Sequence, residues 1–516
     1  MATATWVSLA AFSLLYVIVL MVVLKRSRVT AAEGGNSLVE FFVSGRDLGL
    51  WTAVATLGAT EIGLITIAYN AQKGFNEGFS AFHIGFAGLI GCAIVGLTGF
   101  VVGPIRRTGV LTLPEYYGLR YGGDVRILGA IVMAAGGILN MGLFLKVASL
   151  FIIALLGVET GSFGVAALMV GLIVIAVAYT SYGGMRSVVA TDVFQFVLLT
   201  FGIVAAIVAL LAVMPFNDIV ATVAKEKGPA GFDPVANPNF GPVYMAWMVL
   251  VAGVVSSAIW PTALTRALCI REERNVKRAY LIASVIFMGR MVLPAMLGVV
   301  ALAYFANGGG NAAALQRFGG DGDLIATPMM LGEALPGWFA GFLAVAMFAS
   351  FMSTQDSYLF CWSSIIARDI AGPLTGRTDD TAFQMRVTRI SIVAIAFYEI
   401  YWGLIYQGGE DIWDYLAVSG SIYFCSGIVL LAGGIYWPRA TRRGALLALL
   451  LGFSALAGLG PVKAALGLDG VSTPVIGFAA IGLSLFGFVV GSLTDKRVVE
   501  ATGPASTTHG GSIGTS

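Results

Sequence analysis

Hydrophobic residues run through this chain in long continuous stretches, and most polar residues are gathered between them. A bilayer-crossing helix needs about 20 apolar residues. Thirteen stretches approach or exceed that length: 5–24, 49–70, 79–103, 127–155, 161–180, 188–214, 241–263, 279–306, 335–367, 390–407, 412–436, 444–462 and 474–493. A membrane β-barrel would show short alternating segments instead. The pattern predicts an all-α polytopic membrane protein with about 13 transmembrane helices. Short helices are expected in the loops 215–240 and 307–334.

The placement of charge tests the count. With the N-terminus outside, the inside loops and C-terminal tail hold 23 of the 30 Lys and Arg, and the outside loops hold 5. Lys146 and Arg290 fall within spans. This bias predicts an N-out, C-in chain in the plasma (inner) membrane. Lys25, Arg26 and Arg28 follow the first span, which reads as a signal anchor and not as a cleaved signal.

Composition narrows the function. Hydrophobic residues make up 58% of the 516 and charged residues only 11%, against about 25% charged in a soluble domain. Mean hydropathy is +0.88. An ordinary soluble enzyme, a nucleic-acid binder and a disordered scaffold are excluded. Four cysteines without a CxxC pair and two histidines, His83 and His509, argue against a disulfide framework and a Cys/His metal centre. No nucleophile–base arrangement appears, so an enzyme is not expected. The lipid bilayer is the implied surrounding.

Two spans carry breaking and polar residues at mid-depth. The second contains Thr56-Leu57-Gly58-Ala59-Thr60-Glu61-Ile62-Gly63, and the seventh contains Gly253, Ser256-Ser257 and Trp260-Pro261-Thr262. Irregular backbone at that depth persists only where it is buried in protein or lines a cavity. Breaks at corresponding places in two halves mark a transporter site. The broken spans lie five apart, and an odd offset makes the two five-helix units antiparallel. The predicted division is 1–48 as a peripheral helix and loop, 49–214 as the first repeat, 241–436 as the inverted second repeat, 437–493 as two peripheral helices, and 494–516 as a disordered cytoplasmic tail.

Ionisable residues inside a membrane are costly and mark functional sites. Glu61, Lys146, Asp192, Arg290, Asp356 and Glu399 qualify, with capping or structural pairing as the alternative for each. Ser350, Ser353, Thr354 and Ser357 share one helix face. Such a hydroxyl stripe suits a hard cation such as sodium, and equally suits helix–helix hydrogen bonding.

Five motifs occurring in order resemble the sodium:solute symporter family. They are Phe42–Gly49, Leu113–Tyr116 with Arg120–Gly122, Tyr179–Gln195, Met352–Thr354 with Asp356-Ser357 and Arg368–Ile370, and Gly434–Arg439 followed by Gly444. The resemblance runs from about residue 42 to 444. It implies the leucine-transporter-type fold, with ten core helices in two inverted repeats and discontinuous first and sixth core helices. It also implies sodium-driven symport by alternating access. By position, it implies a sodium site formed by backbone carbonyls of Ala55, Gly58 and Ser350 and hydroxyls of Ser353 and Thr354. Asp192 matches a second cation path used by some members. Positions near the substrate in sugar-transporting members align with Glu61, Asn140, Trp260, Thr262 and Arg290. The likeness is loose around Trp260-Pro261 and at His83, so sugar specificity does not transfer.

The reading is therefore a sodium-coupled symporter importing a small polar organic solute, with sodium as coupling ion and no other cofactor. Proton coupling through Glu61 or Asp192 is the alternative within the same fold. A channel or receptor does not need two broken helices around a closed midplane site. Arg290 separates the substrates. If Glu61 leaves it unpaired, an organic anion or amino acid is favoured; if Glu61 neutralises it, a neutral polyol, sugar or urea-like solute fits.

Overall fold

The computed structural model describes residues 2–495 except 35–37, 311, 317–318 and 407–411. The predicted tail 494–516 falls almost wholly outside the described residues. The described chain is helical, with one isolated bridge between Leu48 and Ile270. It is a multi-pass membrane protein: among the described residues ten helices are long and apolar enough to cross a bilayer, against thirteen expected.

The difference lies in three places. The second predicted span consists of two shorter helices, Leu50–Glu61 and Leu64–Glu77, and the latter joins the third span through the tight segment Gly78–Phe82. The twelfth is a short helix, Arg442–Gly452, followed by irregular turns. The fifth contributes only the shorter apolar helix Ser162–Ala178. Apolar length in sequence thus overcounts single long helices where the backbone is interrupted.

Helical hydrogen bonding continues from Ser162 to Val213, yet the chain reverses within that stretch. Helix Thr381–Ile405 runs antiparallel to Gly337–Ile365, because Glu399 meets Gln355 and Gln384 lies against Gly372. Arg389 bonds the Ser181 carbonyl and Gly403 lies against Met169, so the first half runs antiparallel to Thr381–Ile405. Asp192 meets Ser353 and Gly202 lies against Leu343, so the second half runs antiparallel to Gly337–Ile365. The two halves therefore oppose each other, as separate spans at 161–180 and 188–214 require. The loops do hold helices, Phe216–Lys227 and Gly322–Ala334.

Both expected breaks are present. The first helix stops at Ile62-Gly63, both outside helical geometry. The second half runs through Gly241–Trp247, a widened turn at Met248–Val255 and Ser256–Ile259, breaks at Trp260, and resumes as Pro261–Cys269. Pro261 has no N–H to donate and starts the new helix at its first position. The widened turn packs on the third span where Gly91 meets Gly253; a Cβ on Gly91 would lie 2.1 Å from the Gly253 carbonyl carbon.

At one end, ion pairs tie short connecting helices to the long ones. Arg126 pairs with Asp369 at 2.7 Å, Arg368 with Glu115 at 3.0 Å and Arg107 with Glu273 at 2.7 Å. Burial pushes the Glu115 carboxyl up, but the Arg368 guanidinium beside it and the Leu111 N–H outweigh this and hold it below its usual range.

A candidate cation and solute site between two broken helices

The break at Ile62-Gly63 frees carbonyls that an intact helix would use. Side chains of Gly337–Ile365 take them. Ser350 Oγ donates to the Ile62 carbonyl at 2.9 Å and Thr354 Oγ1 to Thr60 at 3.3 Å, while Ser353 Oγ lies 3.4 Å from the Ala59 carbonyl. All three hydroxyl residues are buried. Gly63 permits this approach, since a Cβ there would lie 2.1 Å from Thr354 Oγ1. Hydroxyl and carbonyl oxygens thus converge, a donor set suited to a hard monovalent cation.

Asp192 stands behind this cluster, fully buried. One carboxylate oxygen accepts from Ser353 Oγ at 2.7 Å. The other accepts from Thr56 at 2.6 Å, Thr60 at 3.3 Å and Arg266 Nη2 at 3.4 Å. Arg266 also donates to Ser357 at 2.6 Å and has no solvent exposure.

Beside the same break lies a cavity of about 750 Å³, its open mouth included, lined by Glu61, Tyr69, Asn140, Trp260, Arg290 and Trp413 among others. Arg290 Nη1 donates to the Glu61 carboxylate at 2.8 Å and to the Glu61 carbonyl at 3.1 Å. Thr262 donates to the other Glu61 oxygen at 2.9 Å, linking the two broken helices. The Arg290 guanidinium lies 4.0 Å from the Phe287 ring centre. Trp260 Nε1 donates to Tyr358 at 2.9 Å, and Asn140 donates to Ser419 at 2.9 Å and the Leu416 carbonyl at 3.1 Å. A second cavity of about 370 Å³, its open mouth included, is lined by Pro261, Leu264, Phe42 and Phe360 among others.

The model of the sodium:solute symporter family matches residues 41–452. The chain belongs to that family. It is accordingly a sodium-coupled solute symporter. It is 24% identical over 450 residues to the sodium/mannose cotransporter of Bos taurus, covering 81% of this chain and 73% of that one. It is also 24% identical over 450 residues to sodium/glucose cotransporter 1 of Oryctolagus cuniculus, covering 80% and 66%. A Na+-coupled sialic acid symporter, solved in a substrate-bound outward-open state, superposes with a TM-score of 0.76 at 17% identity over 96% of this chain and 99% of that one. MhsT in complex with L-phenylalanine gives 0.53 at 15% identity over 87% and 98%. The fold is of the leucine-transporter type.

Within the symporter, the expected hydroxyl residues and Asp192 are brought together beside the first break. Ser350, Ser353 and Thr354 face the first broken helix, where their hydroxyls lie against the carbonyls of Ile62, Ala59 and Thr60. The Gly58 carbonyl accepts from the Ile62 N–H at 3.0 Å. Ala55 lies one turn earlier in the same helix. Glu61, Asn140, Trp260 and Arg290 line the cavity together. Thr262 reaches it through Glu61.

Other intramembrane charges lie elsewhere. Lys146 pairs with Asp321 at 3.2 Å and donates to the Tyr406 carbonyl at 2.9 Å. Both Glu399 oxygens accept from Gln355 Nε2, at 2.7 and 2.9 Å. Sequence reasoning missed Arg266, which counts as a loop cation when 264–278 is read as polar. Its signal was the four-residue spacing from Thr262, which stacks both on one face of Pro261–Cys269.

Proposed function

We propose that this symporter moves a small, electrically neutral polar solute into the cell with sodium. The observation supporting the neutral class is the 2.8 Å pair between Arg290 and Glu61 inside the cavity. A carboxylate-bearing solute would have to displace Glu61 from Arg290 and leave a second anion in a largely dehydrated space. A neutral solute keeps the pair intact and exchanges hydrogen bonds with its edges. Trp260, Tyr69 and Trp413 offer apolar faces to the carbon side of such a molecule. The names of relatives point the same way, since they include mannose, glucose and myo-inositol cotransporters.

In this reading sodium takes the carbonyls of Ala59, Ile62 and Ser350 and the hydroxyls of Ser353 and Thr354. The ion would join the broken first core helix to the helix bearing the stripe, so that its arrival favours one packing of the two and its departure another. Glu61 and Asp192 are each engaged by a guanidinium, which does not favour either as a proton carrier. The charge bias supports an N-out, C-in orientation in the plasma (inner) membrane.

The test is uptake into proteoliposomes under an imposed inward sodium gradient. Labelled myo-inositol, glucose and mannose are compared with lactate and alanine. Sodium-dependent uptake of an uncharged solute, with no competition by lactate, is expected. Sodium-driven lactate uptake would overturn the neutral class, and uptake indifferent to sodium would overturn the cation site.

A further inference from the structure

Glu399 and Gln355 belong to neither site described above, and both are fully buried. Glu399 lies on Thr381–Ile405, and Gln355 on Gly337–Ile365 next to the stripe residue Thr354. Gln355 Nε2 donates to both Glu399 oxygens, at 2.7 and 2.9 Å. Among the described residues no Lys, Arg or His lies within ion-pairing distance of Glu399. On Phe144–Leu155, Lys146 packs beside Gly403, but its ammonium turns to Asp321 at 3.2 Å and to the Tyr406 carbonyl. The neighbouring stretch 162–178 holds no ionisable residue. Arg368 and Asp369, in the turn that packs near Gln384, are paired with Glu115 and Arg126. On Gly337–Ile365, Asp356 accepts from Ser357 at 3.3 Å and Tyr358 from Trp260 at 2.9 Å. On its own helix Glu399 adjoins Tyr398, while Arg389 bonds the Ser181 carbonyl.

An ionised carboxylate here would be a charge without a counter-charge in a dry interior, which costs far more than a neutral acid. It would also leave a second group unsatisfied. Gln355 Oε1 is buried and has no donor, and an ionised carboxylate has none to give. One proton answers both. The acid O–H then donates to Gln355 Oε1, and its other oxygen accepts from Nε2. The soft terminal torsions of the two side chains allow the turn that closes this pair.

We propose that Glu399 is a proton-binding site, occupied at neutral pH, whose neutral acid pairs with Gln355 and fastens the hydroxyl-stripe helix to Thr381–Ile405. Gln355 stands about 100° around that helix from Thr354. The bound proton therefore holds the helix from a side other than the one that meets the first break, and it places no charge beside the ion. Protonation here depends on neither the sodium nor the solute assignment.

Infrared spectra of the purified full-length protein in lipid nanodiscs at pH 7 read the proton directly. The spectrum of the unaltered protein minus that of Glu399→Gln should show the C=O band of a protonated carboxyl; ionised-carboxylate bands alone would overturn the site. Thermal stability supplies a second readout. An acid protonated when folded and ionised when unfolded contributes fully below about pH 4.3 and loses that contribution as pH rises. From pH 5 to pH 8 the unaltered protein should therefore lose more stability than Glu399→Gln, and equal losses would refute the bound proton. Half-saturating sodium in Glu399→Gln should stay within about twofold, because no charge is removed; a rise of about tenfold would show an ionised Glu399 serving the ion. Should Glu399→Gln fail to fold, isotope-labelled glutamate in the unaltered protein decides: a protonated glutamate band at pH 7 is expected, and its absence refutes the site.

Discussion

Gly63→Ala puts the cation site to a geometric test. Gly63 sits at φ −84° and ψ 165°, ordinary extended backbone, so alanine adds no backbone strain. Only space is at issue. The added Cβ would lie 2.1 Å from Thr354 Oγ1, 2.7 Å from Thr354 Cβ and 3.0 Å from Cγ2. Rotating the threonine side chain can relieve the first contact but not the second, because Cβ does not move with χ1. Ordinary contact begins at 3.4 Å. The two helices must therefore separate by roughly 3.4 less 2.7, about 0.7 Å, at the place where their oxygens converge. Misplacement approaching 1 Å in a preorganised site costs up to about 100-fold, so half-saturating sodium should rise between about tenfold and 100-fold. The assay is sodium-dependent thermal stabilisation of the purified protein, which needs no knowledge of the solute. Gly49→Ala is the control, since nothing lies within 4 Å of its added Cβ and it caps Leu50–Glu61, before the break, as Gly63 caps Leu64–Glu77 after it. A Gly63→Ala protein with normal sodium dependence would refute the convergence of these two helices on the ion.

Other outcomes follow from the same contacts. Thr354→Ala should raise half-saturating sodium by about tenfold, about 1.4 kcal/mol, read in the same assay; no change would remove this hydroxyl from the site. Arg290→Gln and Glu61→Gln should each destabilise the protein by about 3–5 kcal/mol by stranding a buried charge, while the double variant recovers part of the loss; additive single effects would show that the pair is not coupled. At the ion-paired end, Glu115 lies below its ordinary carboxylate range in the folded chain. Its contribution should be complete above about pH 4.3 and be lost as pH falls through the lower folded value. Thermal stability compared at pH 6 and 3.5 should fall less in Glu115→Gln than in the unaltered protein, and an equal fall would discount the Arg368 pair. Cysteine placed at Arg274, whose side chain is 72% exposed, should react with an impermeant reagent only from the cytoplasmic side; labelling from outside would reverse the proposed orientation.

Much of this protein is legible in its sequence, because a membrane constrains sequence strongly. Continuous apolar runs and the distribution of Lys and Arg gave a multi-pass helical protein. The residues Ile62-Gly63 and Trp260-Pro261 gave both breaks, since unpaired backbone at that depth needs a protein partner and only a few residue types permit it. The hydroxyl stripe at Ser350, Ser353, Thr354 and Ser357 followed from helical periodicity alone. Tertiary structure decided what those elements meet. The register between two helices is set by packing such as Gly63 against Thr354, and a shift of one turn would change which carbonyls the hydroxyls meet without altering either helix's pattern. Charge pairing is equally invisible along the chain. Glu61 and Arg290 are 229 residues apart and Asp192 and Arg266 are 74 apart, so no local spacing shows that each acid is already neutralised. The number of long helices also depended on three dimensions, because an apolar run records what the bilayer tolerates, whereas the continuity of a helix depends on where its backbone hydrogen bonds find partners.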